Sequence, residues 1–379
     1  MVADATDLAV GLLPALGGGL GALAETGQHS RLIDGYLRPY AAAFARLYYF
    51  SYLPESLAAF TDAPDVLERA RLLAPPRPVA RGRRAVSMVR AHRPEFTACA
   101  VLRVFQLTGV IPALVARARL GVPYVTTYGF RYARLSRSPG KRALKTVLER
   151  VGLRRAAAVI ATTPALAAHA RRHAGRVELI PNGVDTRRFA PGAGGPGARG
   201  ERPRLLYVGR LSPEKNLETV LAAADRSATR PEVVIVGPGP LREPLEAQAR
   251  RLGLAVDFRG VVDQGALPPV YAAADAFVLA SFTEGHPKVL LEAMSAGLPC
   301  LVADNEGTRS LVTHDATGLV FDPGKPDELA AGLDRVLGDP ALCRRLGEAA
   351  RAEIVARYDL RTLVDREIAL LRDVASRRA

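Results

Sequence analysis

The sequence has no tryptophan, three methionines, three cysteines, and only five lysines among its 52 cationic residues. Cys99, Cys300 and Cys343 are odd in number and unrelated in spacing, which excludes a disulfide framework or cysteine metal cluster and fits a reducing compartment. No D-x-D pair and no His/Cys pattern with metal-ligand spacing occurs, so a protein-built metal site is not expected. Long apolar runs are also missing. The longest, LAVGLLPALGGGLGALA, is interrupted by Pro14 and by Gly17, Gly18, Gly19 and Gly21, and it follows an acidic start where an export signal would be basic. Neither a signal peptide nor a membrane span is expected, and a cytoplasmic protein fits.

What is present is a chain of 379 residues, 49% hydrophobic and 24% charged, enough for two globular domains with their own cores. Acidic residues are scarce in one half only. Residues 1–190 hold 28 Lys and Arg against 12 Asp and Glu, whereas residues 191–379 hold 24 against 26, so the net charge of +14 sits entirely in the first half. The preference for Arg over Lys, with abundant Ala, reflects coding bias; the uneven distribution does not follow from such bias and is physical.

The second half repeats one unit, an apolar β-branched run followed by a helical stretch. PRLLYVG, EVVIVG, VDFRGVV, AFVLAS and CLVAD each lead into a segment of helical period. Strands alternating with helices imply right-handed crossovers and a parallel sheet covered on both faces. In the first half LAVGLLP, RLYYFSY, FTACAVL, PYVTTY and AAVIAT are the strand candidates, with helices around 20–46, 108–119 and 164–173. A Gly-, Pro- and Arg-rich stretch after residue 190 reads as a linker. The expected fold is α/β, two doubly wound Rossmann-like domains over 1–190 and 191–379 facing each other across a crevice, with the C-terminal helix able to pack back on the first domain.

In such sheets ligands bind beyond the carboxyl ends of the strands. Three second-half loops have that placement. VGRLSPEKN offers Gly209 for close backbone approach, Arg210 as a planar fork for phosphate oxygens and Lys215 as a mobile point charge. VGPGPLRE supplies Gly237 and Gly239 but lacks the third glycine of a dinucleotide fingerprint, so an NAD site is not supported. SFTEGHPKVLLEAMSAGLPC holds Glu284 in a loop and Glu292 on a helix with Pro287 in its first turn and Gly297 past its end. The N–H groups of Gly285, His286 and Lys288 at that helix start suit an anion, and two carboxylates in an otherwise apolar segment suit vicinal hydroxyls.

These blocks, with LIPNGVDTRRFAP before them and the run through TGLVF after, resemble in order and spacing the E-x7-E region of retaining, family-4-type glycosyltransferases of the GT-B fold, over residues 177–330. The resemblance implies that Arg210 and Lys215 bind the diphosphate of a nucleotide-sugar, that Glu284 contacts the donor sugar and Glu292 the ribose, and that the backbone at Val261 and Val262 holds the base. It implies transfer with retention, to a glycan or lipid-linked acceptor as in cell-surface polysaccharide or glycolipid synthesis, without cofactor or metal.

The sequence departs from that family in the first half, where Tyr128 stands at an acceptor-side position that many members fill with histidine. Glu306 replaces the first glycine of a Gly-Gly pair. Gly17, Gly18 and Gly19 either line the donor-acceptor crevice or form only a tight turn. His169 and His173 are four residues apart, but flanking Arg and the lack of a glutamate favour a solvated helix face over a metal site. Residues 131–155 carry nine cations against the single acid Glu149, interleaved with Leu135, Leu144, Val147, Leu148 and Val151; this is either a helix that lies on anionic lipid or a solvated basic helix. Two other functions remain compatible at this level: a sugar-nucleotide 2-epimerase of the same fold, and nucleic-acid binding through the basic half, although no nucleic-acid module is recognisable.

Overall fold

The computed structural model describes residues 8–131, 138–192 and 202–377. The linker residues 193–201, and Arg134, Leu135 and Arg137 of the basic stretch, lie outside the described residues. The chain forms two units. One comprises the residues up to Pro181 together with those from Leu363 onward; the other runs Asn182–Thr362.

The first unit is built on strands β1 (Ala9–Leu13), β2 (Arg46–Phe50), β3 (Ala70–Leu73), β4 (Val101–Val104), β5 (Tyr124–Tyr128), β6 (Ala158–Ala161) and β7 (Val177–Leu179). All pair in parallel in the order β3-β2-β1-β4-β5-β6-β7. The strands are largely apolar, and every residue of β4 and β6 is buried, Arg103 of β4 included, because helices cover both faces. Three expectations are corrected here. FTACAVL is not one strand: Phe96, Thr97 and Ala98 finish the helix Arg93–Ala98, opened by Pro94 in its first turn, and β4 starts only at Val101. The helix expected over 20–46 is broken into short pieces from Leu20 to Ala43, with Gly27 at φ +68° closing the first. Strands β3 and β7, four and three residues long, carry too short an apolar run to show a period.

The second unit contains β8 (Arg204–Val208), β9 (Glu232–Val236), β10 (Val256–Gly260), β11 (Ala276–Leu279), β12 (Cys300–Ala303) and β13 (Leu319–Phe321), again all parallel, in the order β10-β9-β8-β11-β12-β13. The helix Leu217–Arg226 buries Leu217, Val220, Leu221 and Ala224, one stripe at helical spacing, against this sheet. Each such leucine or valine taken fully from water contributes roughly 1.5–3 kcal/mol. The first-unit order reverses direction between β1 and β4, and the second between β8 and β11. At such a switch point the loops on either side leave the sheet in opposite directions and open a recess at the carboxyl edge.

The domain boundary expected at 190/191 is corrected to 181/182. Residues 182–190 belong to the second unit because Val184 exchanges backbone hydrogen bonds with Tyr358 and Leu360, Thr186 donates to Asp359 at 2.6 Å, and Phe189 is buried in the second core. The last helix, Leu360–Ser376, lies in the first unit for all but its opening residues. It is fixed there by Glu367, which is 4% exposed and takes a two-point ion pair from Arg103 of β4, Nε to Oε1 at 2.5 Å and Nη2 to Oε2 at 3.0 Å. The Tyr40 hydroxyl donates to the same carboxylate, and Thr127 accepts from Arg103 at 2.8 Å. Burial pushes the Glu367 carboxyl up and the Arg103 guanidinium down, so each charge is sustained by the other.

Glu367→Ala strands Arg103 in the core and is expected to lower the stability of the first unit by about 3–5 kcal/mol. The double variant Arg103→Met/Glu367→Leu is expected to lose much less. Urea unfolding followed by circular dichroism compares them; equal midpoints for wild type and Glu367→Ala would show the pair to be dispensable.

Candidate active site

Of the residues singled out in the second half, Lys215 and Glu284 meet at the β8/β11 switch point. Lys215 ends the loop that follows β8, and Glu284 lies in the loop that follows β11. Lys215 Nζ donates to Glu284 Oε1 at 2.6 Å, with the side chains 21% and 11% exposed. The loops are locked together beside this contact. Phe282 N–H donates to the Glu214 carbonyl, and Asn216, held in the left-handed region at φ +56°, donates from Nδ2 to the carbonyls of Ala280 and Pro323. Ser212 Oγ donates to Glu214, whose pKa is lowered chiefly by that bond. Arg210 is exposed at the head of the loop, its carbonyl held by the Tyr207 hydroxyl at 2.9 Å.

Gly237 and Gly239 are packed against the loop that follows β8. A Cβ on Gly237 would lie 2.0 Å from the Gly209 carbonyl oxygen, and one on Gly239 2.2 Å from that of Leu211. Their missing side chains admit the neighbouring β8 loop, whose Gly209 and Leu211 N–H groups bond to Val236 and Pro238. The glycines are therefore accounted for by loop-on-loop packing, and expected ligand contact is not needed to explain them. Similarly, Gly307 lets the 284–285 backbone approach to 2.7 Å of where its Cβ would be, while Glu306 ahead of it is exposed.

The motif helix runs Lys288–Ser295, and Pro287 is its N-cap instead of lying within its first turn. Lys288 opens the helix, whereas Gly285 and His286 belong to the preceding loop. The C-terminus closes as a Schellman motif: Gly297 at φ +73° donates to the Met294 carbonyl and Leu298 to that of Ala293. Glu292 is 2% exposed and accepts from Gln264 Nε2 at 3.0 Å and from the Tyr271 hydroxyl at 2.9 Å. Neither partner was evident in the sequence, since Gln264 and Tyr271 lie in a loop and a short helix with no distinguishing pattern. Val261 and Val262 follow the edge strand β10, Val261 exposed and Val262 partly buried.

The His286 imidazole is turned into the interior, 5.5 Å from the Tyr358 ring, so it is not a ligand-facing side chain. Only its backbone faces the loop, with the carbonyl accepting from Asn182 Nδ2 at 2.8 Å. Burial first, then Lys288, pushes the imidazole pKa down to about 4.

Of the first-unit candidates, Gly19 caps the helix Leu20–Ala24, and the N–H groups of Leu20 and Gly21 that this start exposes donate to the Glu55 carboxylate at 2.9 and 2.7 Å. A Cβ on Gly19 would sit 2.5 Å from Glu55 Oε1, so the glycine makes room for Glu55. Gly18 accepts from Tyr52 N–H. Tyr128 closes β5, is fully buried, and donates to Glu149 Oε1 at 2.6 Å. His169 stacks on its ring at 5.7 Å and lies 3.4 Å from the same carboxylate oxygen. The solvated face expected for His169 is thus corrected: burial, Arg131 and Arg172 depress its pKa within a packed cluster. Among the described residues no three His, Cys, Asp or Glu side chains are grouped so as to hold a metal ion.

The His286 environment predicts a pH dependence. Between about pH 6.5 and 4 the unfolded chain protonates this histidine and the folded one does not, so the unfolded state binds more protons and stability falls as pH falls. The full effect is on the order of 3 kcal/mol. Denaturant midpoints measured across this window should drop for wild type and drop less for His286→Leu; parallel slopes would contradict the assignment.

Two family patterns match, one on the second unit and one mainly on the first. Residues 195–353 match the family described as glycosyl transferases group 1, and residues 36–188 match glycosyltransferase family 4. A GDP-mannose-dependent alpha-(1-6)-phosphatidylinositol monomannoside mannosyltransferase of Mycobacterium tuberculosis is 35% identical over 211 residues, covering 50% of this chain and 54% of that protein. The chain therefore spans about half the length of the curated relatives it matches. Among solved structures, a sucrose-phosphate synthase of Thermosynechococcus elongatus aligns over 97% of this chain and 99% of its own at TM-score 0.79 and 22% identity. A HepE protein of Anabaena crystallised with UDP-glucose aligns over 96% and 98% at TM-score 0.73 and 20% identity. At these identities the structures speak for the fold alone: two Rossmann-like parallel-sheet domains of the GT-B kind. With one matched pattern on each of its two sheets, the chain belongs to the glycosyltransferases of the group 1 and family 4 type.

Proposed function

We propose that this protein is a retaining glycosyltransferase that moves a sugar from a nucleotide-sugar donor to a glycan or lipid-linked acceptor, without a resident metal or cofactor. The observation that carries the reading is the 2.6 Å contact of Lys215 with Glu284 at the β8/β11 switch point. An ammonium has three donors and a carboxylate about four acceptor sites, so this pair leaves both groups able to take further partners. Lys215 and the exposed Arg210 receive the diphosphate, and Glu284 receives hydroxyls of the donor sugar. Glu292 lies on the helix that follows Glu284's loop, held by Gln264 and Tyr271, and the ribose sits on its side of the motif helix. The base rests on the backbone at Val261 and Val262.

Chemically, the carbon–oxygen bond between the anomeric carbon and the diphosphate breaks as the acceptor oxygen bonds to the same face, and the acceptor's hydroxyl proton passes to the departing phosphate oxygen. Negative charge grows on the leaving phosphate while the sugar becomes oxocarbenium-like. Fixed cations beside that phosphate stabilise this charge, and removing one such group from a preorganised site costs on the order of 10²–10³ in rate. The named activity of the mycobacterial relative and the UDP-glucose of the Anabaena structure support a nucleotide-sugar donor. Synthesis of a surface glycan or glycolipid on the cytoplasmic side, at the inner face of the plasma membrane for a lipid-linked acceptor, accords with these relatives.

Thermal stabilisation by a panel of UDP-, GDP- and ADP-sugars identifies the donor. With that donor, Lys215→Ala and Glu284→Ala are each expected to lower turnover by about two to three orders of magnitude with unfolding midpoints close to wild type. Wild-type rates in both would overturn the roles. Turnover is expected to continue in excess EDTA; loss reversed by a divalent ion would contradict a site that works through Arg210 and Lys215 alone.

A further inference from the structure

The helix Pro139–Arg155 has two faces of different character. Inward, Gly152 and Leu153 are buried against the first-unit core, with Leu107 and Val110 within 3.0–3.2 Å of the position a Cβ on Gly152 would take. Its one acid, Glu149, is also turned inward, to Tyr128. Outward, Leu144, Val147 and Val151 are 70%, 58% and 42% exposed. They fall at helical spacing i, i+3 and i+7, a continuous stripe. Eight large hydrophobic side chains are exposed among the described residues, and this helix carries three of them. Its six cations, Lys141, Arg142, Lys145, Arg150, Arg154 and Arg155, are all exposed, and with Glu149 buried the outer face bears no acid.

A neighbouring helix of the same layer repeats the pattern. The helix Arg81–Ala91 exposes Val86 (57%) between Arg83 and Arg90, and both helices pack against Val110–Leu120.

We propose that this face of the first unit docks on an anionic lipid bilayer, with Leu144, Val147 and Val151 entering the headgroup boundary and the flanking cations meeting lipid phosphates. An apolar stripe lined by long cationic side chains is the arrangement of a helix lying in the interface, because Lys and Arg stems bury alongside the stripe while their charges reach the surface. Nucleic acid matches the charge but leaves the stripe in water. A second copy matches the stripe but sets six cations against six. Among the described residues no helix is long and apolar enough to cross a membrane, so the contact is peripheral.

The test is vesicle flotation of the whole protein, using phosphatidylcholine alone and phosphatidylcholine with about a third phosphatidylglycerol, the anionic lipid supplying the surface charge. Wild type is expected to float with the anionic vesicles only. Lys141→Gln/Lys145→Gln/Arg154→Gln is expected to bind about a hundredfold more weakly, at roughly fivefold per charge. Leu144→Ser/Val147→Ser/Val151→Ser should lose the binding that survives at high salt. A control with the same change in net charge in the second unit, Arg250→Gln/Arg251→Gln/Arg344→Gln, should float like wild type. All substituted residues are exposed, so folding is not at stake. Failure of wild type to float, equal loss in the control, or undiminished flotation of the serine variant would overturn the proposal, as would self-association of wild type that the serine variant abolishes. No donor or acceptor enters the assay, so its failure is distinguishable from failure of the transferase reading.

Discussion

Lys215 and Glu284 are 69 residues apart in the chain and meet because β8 and β11 are neighbours where the sheet order reverses. That topological constraint governs the second unit. The strand after β8 in the chain, β9, lies to one side, and β11 must return across β8 to lie on the other. Loops from consecutive strand positions therefore diverge, and the recess between them is filled by side chains from both. Backbone contacts from Phe282 to Glu214 and from Asn216 to Ala280 fix the separation. The glycines at 237 and 239 let a third loop close against the first. A cation and a carboxylate thus face each other on rigid supports, as electrostatic preorganisation requires.

The first unit repeats the topology and uses its carboxyl edge differently. The helix start beyond β1, which in isolation offers free N–H donors, is satisfied by Glu55. Tyr128 at the end of β5 is bonded to Glu149 and stacked on His169. Glu149 belongs to the same helix that shows lipid-like patterning on its outer side, so one element links the sheet edge to the basic surface. The first-half excess of positive charge has a physical location there, on helices whose acid is internal.

Most of the second unit was legible from the residues because its strands lie in apolar, β-branched runs separated by clear helical stretches. That the loops carrying Lys215 and Glu284 come together was expected from their placement at the carboxyl edge, whereas the direct ion pair between the two was not. Legibility failed where the signal was short or depended on a distant partner. β3, β7 and β13 have three or four residues each, too few for a period to emerge. Pro94 opens a helix inside an apolar run that reads as strand. The packing of Gly19 on Glu55, and of Gly237 and Gly239 on the β8 loop, depends on parts of the chain that no local pattern around those glycines announces. His169 looks solvated among arginines until Tyr128 and Glu149, far along the chain, are brought to it. The division at 181/182 depends on contacts of Val184 and Thr186 with residues 358–360 that no local pattern encodes.

The most direct measurement is the position of a bound nucleotide-sugar in a crystal structure of this chain. The account predicts its phosphates within hydrogen-bonding distance of Arg210 and Lys215 and its sugar hydroxyls against Glu284. A ligand seated elsewhere, with Lys215 still held only by Glu284 and Arg210 in solvent, would contradict it.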